Sequence, residues 1–293
     1  MRFEPKKPRT GPSGSPEVNP APHPPAPPAG LEVFLSLPGL NLSPEKMEPL
    51  AALLRKKGHA VVQCFGRGYF GAPAQPGQKL YPSVWLEGLD RCYEEATGLY
   101  PGAALSLLGY SMGALLGVAW SLSRDRPLRR AVFFSPAFVL KWYGRGSLRV
   151  AGRLLAGHRI LRSRSPAAYR LQAGTSVAAY QGLLQLGQLF RRQLARRDEE
   201  GLRAFLPRQF IAFAARDELI STRFLPAYRR RFDGLVALHR LNHVPRAGYP
   251  YHLGLDAHTL GERQWELVCG AMEGWLDETA PRGTAAAAPP GAR

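Results

Sequence analysis

The chain has 293 residues, of which 45% are hydrophobic and 10% aromatic, and this excludes a small scaffold that depends on disulfides. Its three cysteines, Cys64, Cys92 and Cys269, lack CxxC spacing, so we expect packed or partly exposed thiols rather than a disulfide framework or a zinc site. The net charge is +17, and residues 138–210 alone hold 14 Lys and Arg against three acids. The basic excess is therefore concentrated in one segment.

Both ends of the chain are predicted to be disordered. Residues 1–30 are rich in Pro and residues 279–293 are rich in Ala, Pro and Gly, so neither segment can bury apolar surface. We expect one globular domain over residues 31–278. The N-terminus lacks the apolar segment of a signal peptide, and the longest apolar run is shorter than the roughly 18 residues of a membrane span. We therefore expect a soluble, cytoplasmic protein.

Short apolar runs alternate with helical patterns in the first half of this domain. The runs predict strands over residues 31–37, 60–65, 104–108 and 131–134. A helix is expected to begin after Ser43, and further helices are expected over 83–97 and 113–122. Strands that alternate with helices in this way are typical of βαβ units, so the pattern predicts an α/β fold with a mostly parallel sheet.

The pattern changes after Pro136 to an Arg-rich helical region with no strand signal before Gln209, which predicts an inserted helical cap at about 138–208. Strands are expected again over 210–214 and 235–241, followed by an amphipathic helix over about 259–276. The cap also contains apolar residues that predict either its own core or a roof over an acyl chain. They are Phe138, Leu140, Trp142, Tyr143, Leu183, Leu184, Leu186 and Phe190.

The sequence Gly-Tyr-Ser-Met-Gly at residues 109–113 matches the pattern G-x-S-x-G and lies directly between a predicted strand and a predicted helix. A strand that turns sharply into a helix strains the residue at the corner, and glycines two positions away leave room for the turn. The Ser111 hydroxyl would then stand exposed at the carboxyl edge of the sheet. We predict that Ser111 is a nucleophile.

A serine nucleophile needs a base and a carboxylate that orients the base. Asp217 follows the strand predicted over 210–214 and is the favoured acid, with Glu218 as the alternative. Four histidines come later in the chain, and two of them, His239 and His258, lie within a predicted strand and at a helix start. The base is therefore either His252, which we favour because it lies in a loop, or His243.

Two backbone N–H groups are candidates for stabilising an oxyanion. The N–H of Met112 would lie at the start of the helix that follows Ser111. A second donor is expected from the loop after the first strand, where Gly39 allows a turn and the N–H of Leu40 is the candidate.

The chain resembles the serine aminopeptidase and monoglyceride-lipase branch of the α/β-hydrolases. The resemblance covers most of residues 31–278 and depends on four motifs, at residues 109–113, 134–137, 216–221 and 251–256. It implies an α/β-hydrolase fold with a variable helical cap, and hydrolysis of esters, lipids, thioesters or peptides without a metal or organic cofactor. Where the family usually has His-Gly in the oxyanion loop, this chain has Pro38-Gly39.

The leading hypothesis is a serine hydrolase that cleaves carboxylic esters or related acyl bonds of a small-molecule substrate through an acyl-enzyme. An acyltransferase that uses the same residues is an alternative. Another is a binding protein with a hydrolase-like body whose basic cap contacts an anionic membrane transiently, or binds nucleic acid, through Arg149, Arg153, Arg159, Arg162 and Arg164. Since no nucleic-acid-binding motif accompanies this charge, nucleic acid is the less favoured of these two partners.

Overall fold

A computed structural model describes residues 30–64, 82–141, 146, 159–163, 165–245 and 248–279. Residues 1–29 and 280–293, which make up nearly all of the predicted tails, lie outside the described residues. So do Trp142 and Tyr143 of the predicted cap, and Arg149, Arg153 and Arg164 of its basic residues. The predicted tails and the bounds of the cap therefore stay predictions.

The described residues contain eight strands. They are β1 (Glu32–Leu37), β2 (Ala60–Gln63), β3 (Ala104–Tyr110), β4 (Arg130–Phe134), β5 (Ile160–Arg162), β6 (Gly174–Ser176), β7 (Arg208–Ala214) and β8 (Val236–Leu241). Six of them form one sheet in the order β2-β1-β3-β4-β7-β8, and every pairing in it is parallel. The predicted parallel sheet is confirmed. All six carboxyl ends consequently meet at one edge.

Eight α-helices are described. They are α1 (Glu48–Lys56), α2 (Pro82–Leu99), α3 (Met112–Arg124), α4 (Val177–Arg196), α5 (Glu199–Phe205), α6 (Phe224–Arg231), α7 (Ala257–Leu260) and α8 (Glu262–Glu278). The final helix predicted over 259–276 is divided at Gly261, whose φ of 80° ends α7. Short 3-10 helices cover Pro44–Met47 and Ala167–Tyr169.

Helices cover both faces of the sheet, because side chains on a strand alternate between its faces. In β1, Val33 and Leu35 pack with α2, α3 and α4, whereas Phe34 between them packs with α1 and α8. Both clusters are almost wholly apolar. The fold is therefore a three-layer α/β/α sandwich whose loops at the carboxyl edge remain available for a site.

The inserted region between β4 and β7 differs from its prediction in one respect. Strands β5 and β6 pair as a short antiparallel hairpin, whereas the sequence predicted no strand here. Three-residue strands are too short for a period of two to be visible, which explains the error. Helix α4 packs against α3 through Leu183, Leu186 and Phe190, so these residues belong to the layer that covers the sheet.

The prediction of three free thiols is wrong for two of the cysteines. Cys64, directly after β2, and Cys92, within α2, form a disulfide, and their Cα atoms lie 5.6 Å apart. Twenty-eight residues separate them in the chain, so their spacing gave no signal of the pairing. Cys269 is a buried free cysteine, and burial raises the pKa of its thiol to about 12.

A buried ion pair joins the starts of three strands at the opposite edge of the sheet. The carboxylate of Glu32 in β1 accepts hydrogen bonds from the guanidinium of Arg130 in β4 and from the hydroxyl of Ser106 in β3. The same guanidinium donates to the carbonyl of Leu276 near the end of α8. Every charged group in this network is buried, so loss of either partner leaves an uncompensated charge in the interior.

We expect Arg130→Met to lower the free energy of unfolding by about 3–5 kcal/mol, because it leaves the Glu32 carboxylate buried without its partner. The matched control is Arg124→Met, which removes a partly exposed ion pair of 2.9 Å with Asp90 and should lower the free energy of unfolding by less than about 1 kcal/mol. Urea denaturation followed by circular dichroism measures both. Equal losses in the two variants would contradict a stabilising role for the buried pair.

Candidate active site

The backbone turns sharply at Ser111, between β3 and α3. Its φ is 51° and its ψ is −113°, a backbone conformation that residues other than glycine rarely adopt. The flanking glycines are needed for this turn. A Cβ at Gly109 would lie 2.7 Å from the Cα of Ala114, and a Cβ at Gly113 would lie 2.1 Å from the carbonyl oxygen of Leu37. The geometry is that of the sharp corner expected from the motif.

The turn that follows β4 holds the backbone of Ser111 in place. The Ser111 N–H donates to the carbonyl of Phe134 over 3.0 Å, and the Ser111 carbonyl accepts from the N–H of Ala137 over 3.0 Å. Ser135 between them also has a positive φ, of 45°, and its N–H donates to Ala212 in β7. Both polar backbone groups of the strained residue are therefore satisfied within the protein.

Three of the predicted side chains form one hydrogen-bonded chain. The Nε2 atom of His252 lies 2.9 Å from Oγ of Ser111, and its Nδ1 atom lies 2.7 Å from Oδ2 of Asp217. Asp217 is fully buried, and its other oxygen accepts from the N–H groups of Leu219 and Ile220. With an ionised Asp217, the imidazole carries its hydrogen on Nδ1, which leaves Nε2 free to accept the hydroxyl proton.

Neither alternative residue belongs to this chain of contacts. The carboxylate of Glu218 accepts from the backbone N–H groups of Tyr251 and His252, at 2.8 and 3.1 Å. His243 is buried beside the ring of Tyr251, and neither of its ring nitrogens has a hydrogen-bond partner among the described residues. Burial also lowers the pKa of His243, which the Glu218 carboxylate partly offsets. Glu218 thus supports the loop that carries His252, and His243 packs against Tyr251 of that loop.

Tyr110 contributes to the site although the sequence analysis did not single it out. Its hydroxyl donates to the carbonyl of His252 over 3.0 Å, and its ring centroid lies 5.3 Å from that of the imidazole. Burial raises the pKa of this phenol well above its usual value, with smaller contributions from Asp217 and Glu218, so it remains a donor. In the sequence, the only indication of a role for Tyr110 was its position directly before Ser111 in the G-x-S-x-G motif.

The predicted oxyanion donors lie at the start of α3 and in the turn after β1. Met112 is the first residue of α3, where backbone N–H groups lack partners within the helix. Leu40 lies in a turn closed by a 3.1 Å bond from the Leu42 N–H to the Gly39 carbonyl. A Cβ at Gly39 would lie 2.6 Å from the Tyr110 ring and 3.2 Å from the Ser111 Cβ. The turn therefore packs directly against the nucleophile, and only glycine fits at its start.

An open groove lies between the segment after β4 and helix α4, and the space enclosed within it is about that of one water molecule. Most of its lining is apolar, and one of its residues, Ala137, donates its N–H to the Ser111 carbonyl. The other lining residues are Phe138, Leu140, Leu183, Leu184, Gly187, Gln188 and Arg191. Four residues of the predicted acyl roof, Phe138, Leu140, Leu183 and Leu184, thus line the groove, and the first three also pack in or against the core.

Within the described ranges, no three His, Cys, Asp or Glu side chains come close enough together to hold a metal ion. The same part of the chain contains no helix with the length and apolar character needed to cross a bilayer.

Comparison with known proteins gives a consistent assignment. The model of the family described as "Serine aminopeptidase, S33" matches residues 31–195. Similar solved structures include the metagenome-derived lipolytic enzymes LipS and LipT (TM-score 0.61, 16% identity, covering 85% of this chain and 94% of that one). A soluble variant of monoglyceride lipase from Saccharomyces cerevisiae is also similar, with a TM-score of 0.61 and 13% identity, covering 86% of this chain and 87% of that one. Paleococcus ferrophilus monoacylglycerol lipase has a TM-score of 0.60 and 16% identity, covering 87% of this chain and 96% of that one. No match is found among curated protein sequences.

The strained corner predicts an unusual order of stability. We expect Ser111→Gly to be about 1 kcal/mol more stable than Ser111→Ala, because relief of roughly 1–3 kcal/mol of backbone strain exceeds the entropy that glycine loses on folding. Chemical denaturation of the two variants measures the difference.

A matched pair at Ser123, within helix α3, should show the reverse order, with glycine about 1 kcal/mol less stable than alanine. An alanine variant that is the more stable at both positions would mean that the corner stores no strain.

Proposed function

Since the chain belongs to the serine aminopeptidase S33 family of α/β-hydrolases, we propose that it hydrolyses carboxylic esters or related acyl bonds through an acyl-enzyme on Ser111. The observation that carries this proposal is the continuous hydrogen bonding from Ser111 through His252 to Asp217, at 2.9 and 2.7 Å. The three similar structures reported above are named as lipases or lipolytic enzymes, which supports an ester as the substrate.

The reaction begins with attack by Oγ of Ser111 on the substrate carbonyl carbon, while Nε2 of His252 accepts the hydroxyl proton. The carbonyl π electrons move to the oxygen, and the N–H groups of Met112 and Leu40 are the donors proposed to stabilise the oxyanion. The tetrahedral intermediate then expels the alcohol, which takes the proton from His252. The acyl group remains bonded to Ser111.

Water completes the cycle by the same path. His252 removes a proton from water as the oxygen attacks the acyl carbon, and the second intermediate releases the carboxylic acid and restores the Ser111 hydroxyl. Asp217 is fully buried and accepts three hydrogen bonds, so it fixes the imidazole and stabilises its positive charge in both steps. Glu218 and Tyr110 hold the backbone of the same histidine from two sides.

We propose the groove as the binding site of an apolar acyl group, which would lie along its open side. Its walls come from the segment after β4, which is bonded to the Ser111 backbone, and from α4. Burial of each methylene of an acyl chain there would contribute about 0.8 kcal/mol. An ester with an apolar acyl group is therefore the proposed substrate class.

The central prediction concerns the nucleophile and the base. We expect Ser111→Ala and His252→Ala each to lower kcat/KM for a p-nitrophenyl ester by about 10⁴-fold or more, because neither step proceeds without the hydroxyl or the imidazole. Ser111→Ala should also lose covalent labelling by a fluorophosphonate.

The matched control is His243→Ala, which removes an imidazole outside the hydrogen-bonded chain and should keep kcat/KM within about threefold of wild type. A His243 variant that is as inactive as the His252 variant would overturn the assignment of the base. A folded wild type that neither labels nor turns over any ester would overturn the proposed function.

A second prediction tests the groove. Gly187 lies in α4, and a Cβ there would meet only the end of the Arg191 side chain, at 3.5 Å, so a larger residue fits into the groove. We expect Gly187→Leu to lower kcat/KM for p-nitrophenyl hexanoate by about tenfold to a hundredfold, with little change for the acetate. Gly270→Leu, on the outer side of α8, is the control. Equal losses for both esters would contradict acyl binding in the groove.

A further inference from the structure

Asn41 occupies an unusual place in the turn that follows β1. The turn runs from Gly39 to Leu42, and of its two central residues Asn41 alone has a positive φ, of 60°. A positive φ at the third position is the signature of a type II turn, in which Asn is one of the few residues accepted other than Gly. The second position of this turn is Leu40, whose N–H is not used in closing the turn.

The side chain of Asn41 binds the inserted region at two points. Its Nδ2 donates to the carbonyl of Gln172 over 3.0 Å, and its Oδ1 accepts from the N–H of Gln172 over 2.9 Å. Asn41 is nearly buried, with 6% of its surface exposed, so this reciprocal pair is shielded from water. A buried amide that satisfies both its donor and its acceptor in this way fixes the position of its own backbone.

Backbone bonds extend the same attachment along residues 165–172, here called the anchoring segment. The Leu171 N–H donates to the Asn41 carbonyl, and the Ser43 N–H donates to the Tyr169 carbonyl, each over 3.0 Å. The hydroxyl of Tyr169 in turn donates to Asp256 over 2.7 Å, four residues after the proposed base. The anchoring segment therefore contacts both the turn beside Ser111 and the end of the loop that carries His252.

We propose that Asn41 is a positioning residue for the oxyanion, because its side chain fastens the turn that carries the Leu40 N–H to the backbone of Gln172. The inference rests on the proposed function, since it assumes an oxyanion formed on Ser111. The turn packs against Tyr110 at Gly39 and against the core through the side chains of Leu40 and Leu42, and Asn41 adds the side-chain hydrogen bonds that fix its orientation. Asn41 is adjacent to the proposed donor and makes three bonds to the anchoring segment.

Asn41→Gly is the decisive variant, because glycine adopts the positive φ without strain and removes only the two side-chain bonds. We expect kcat for a p-nitrophenyl ester to fall about tenfold to a hundredfold while KM stays within about twofold, as when an oxyanion donor is displaced. Asn41→Asp tolerates the same φ and keeps the acceptor for the Gln172 N–H, but it turns a carboxylate oxygen toward the Gln172 carbonyl, so kcat should fall at least as far as in Asn41→Gly. It also preserves the test if the glycine variant does not fold.

An alkylboronic acid provides a readout that a merely structural role would not change. The Ser111 oxygen bonds to boron, the hydroxyl proton passes to His252, and one oxygen of the tetrahedral adduct occupies the position of the oxyanion. The affinity of the adduct should fall by the same factor as kcat, because the lost stabilisation is specific to the tetrahedral state. Gln172→Ala is the matched control and should match wild type within twofold, since Asn41 bonds only the backbone of Gln172.

The outcomes separate this inference from the proposed function. Parallel losses of kcat and boronate affinity in the Asn41 variants, with Gln172→Ala unaffected, would support the inference. Unchanged kcat and boronate affinity in an active enzyme would overturn it while leaving the proposed function intact. An equal loss in Gln172→Ala would also overturn it, because the effect would then belong to the anchoring segment as a whole. A wild type that neither labels nor turns over ester would overturn both.

Discussion

The sharp corner at Ser111 is the constraint on which the rest of the site depends. A residue with φ of 51° and ψ of −113° is unfavourable by itself, so the surrounding structure has to hold it there. The turn of residues 134–137 makes one hydrogen bond to the N–H of Ser111 and one to its carbonyl. Gly109 and Gly113 allow the corner because they have no side chains to clash. The hydroxyl reaches His252 only because this corner lifts it above the edge of the sheet.

The order of the strands explains why the partners of Ser111 arrive from distant parts of the chain. Strand β4 lies between β3, which carries Ser111, and β7, which precedes Asp217. The turn after β4 consequently occupies the space between nucleophile and acid, where it bonds Ser111 on one side and Ala212 on the other. Strand β8 lies next to β7 in the sheet. The loop that follows β8 can therefore bring His252 to both Asp217 and Ser111.

The sequence was informative where chemistry depends on local order and uninformative where it depends on contacts across the fold. Strand, turn and helix follow one another directly around Ser111, so its corner could be predicted from a short window. The bond from Tyr110 to His252 joins residues 142 positions apart, and no local pattern indicates it. The Cys64–Cys92 disulfide and the β5–β6 hairpin were missed for similar reasons: the cysteines lie on different elements, and the hairpin strands have only three residues each.

Two backbone bridges attach the inserted region to the site, and they determine which parts of its sequence can change without moving the site. Near its start, Leu140 forms a bridge with Ile220 in the turn that holds Asp217, and near its middle Arg170 forms a bridge with Leu42 beside the proposed oxyanion turn. Backbone hydrogen bonds make both attachments, and these do not depend on side-chain identity. The sequence between the two bridges can therefore change with the substrate while the acid and the oxyanion turn stay in position. Asn41 and Tyr169 are the exceptions, because there side chains make the attachment, and those parts of the geometry are sensitive to single substitutions.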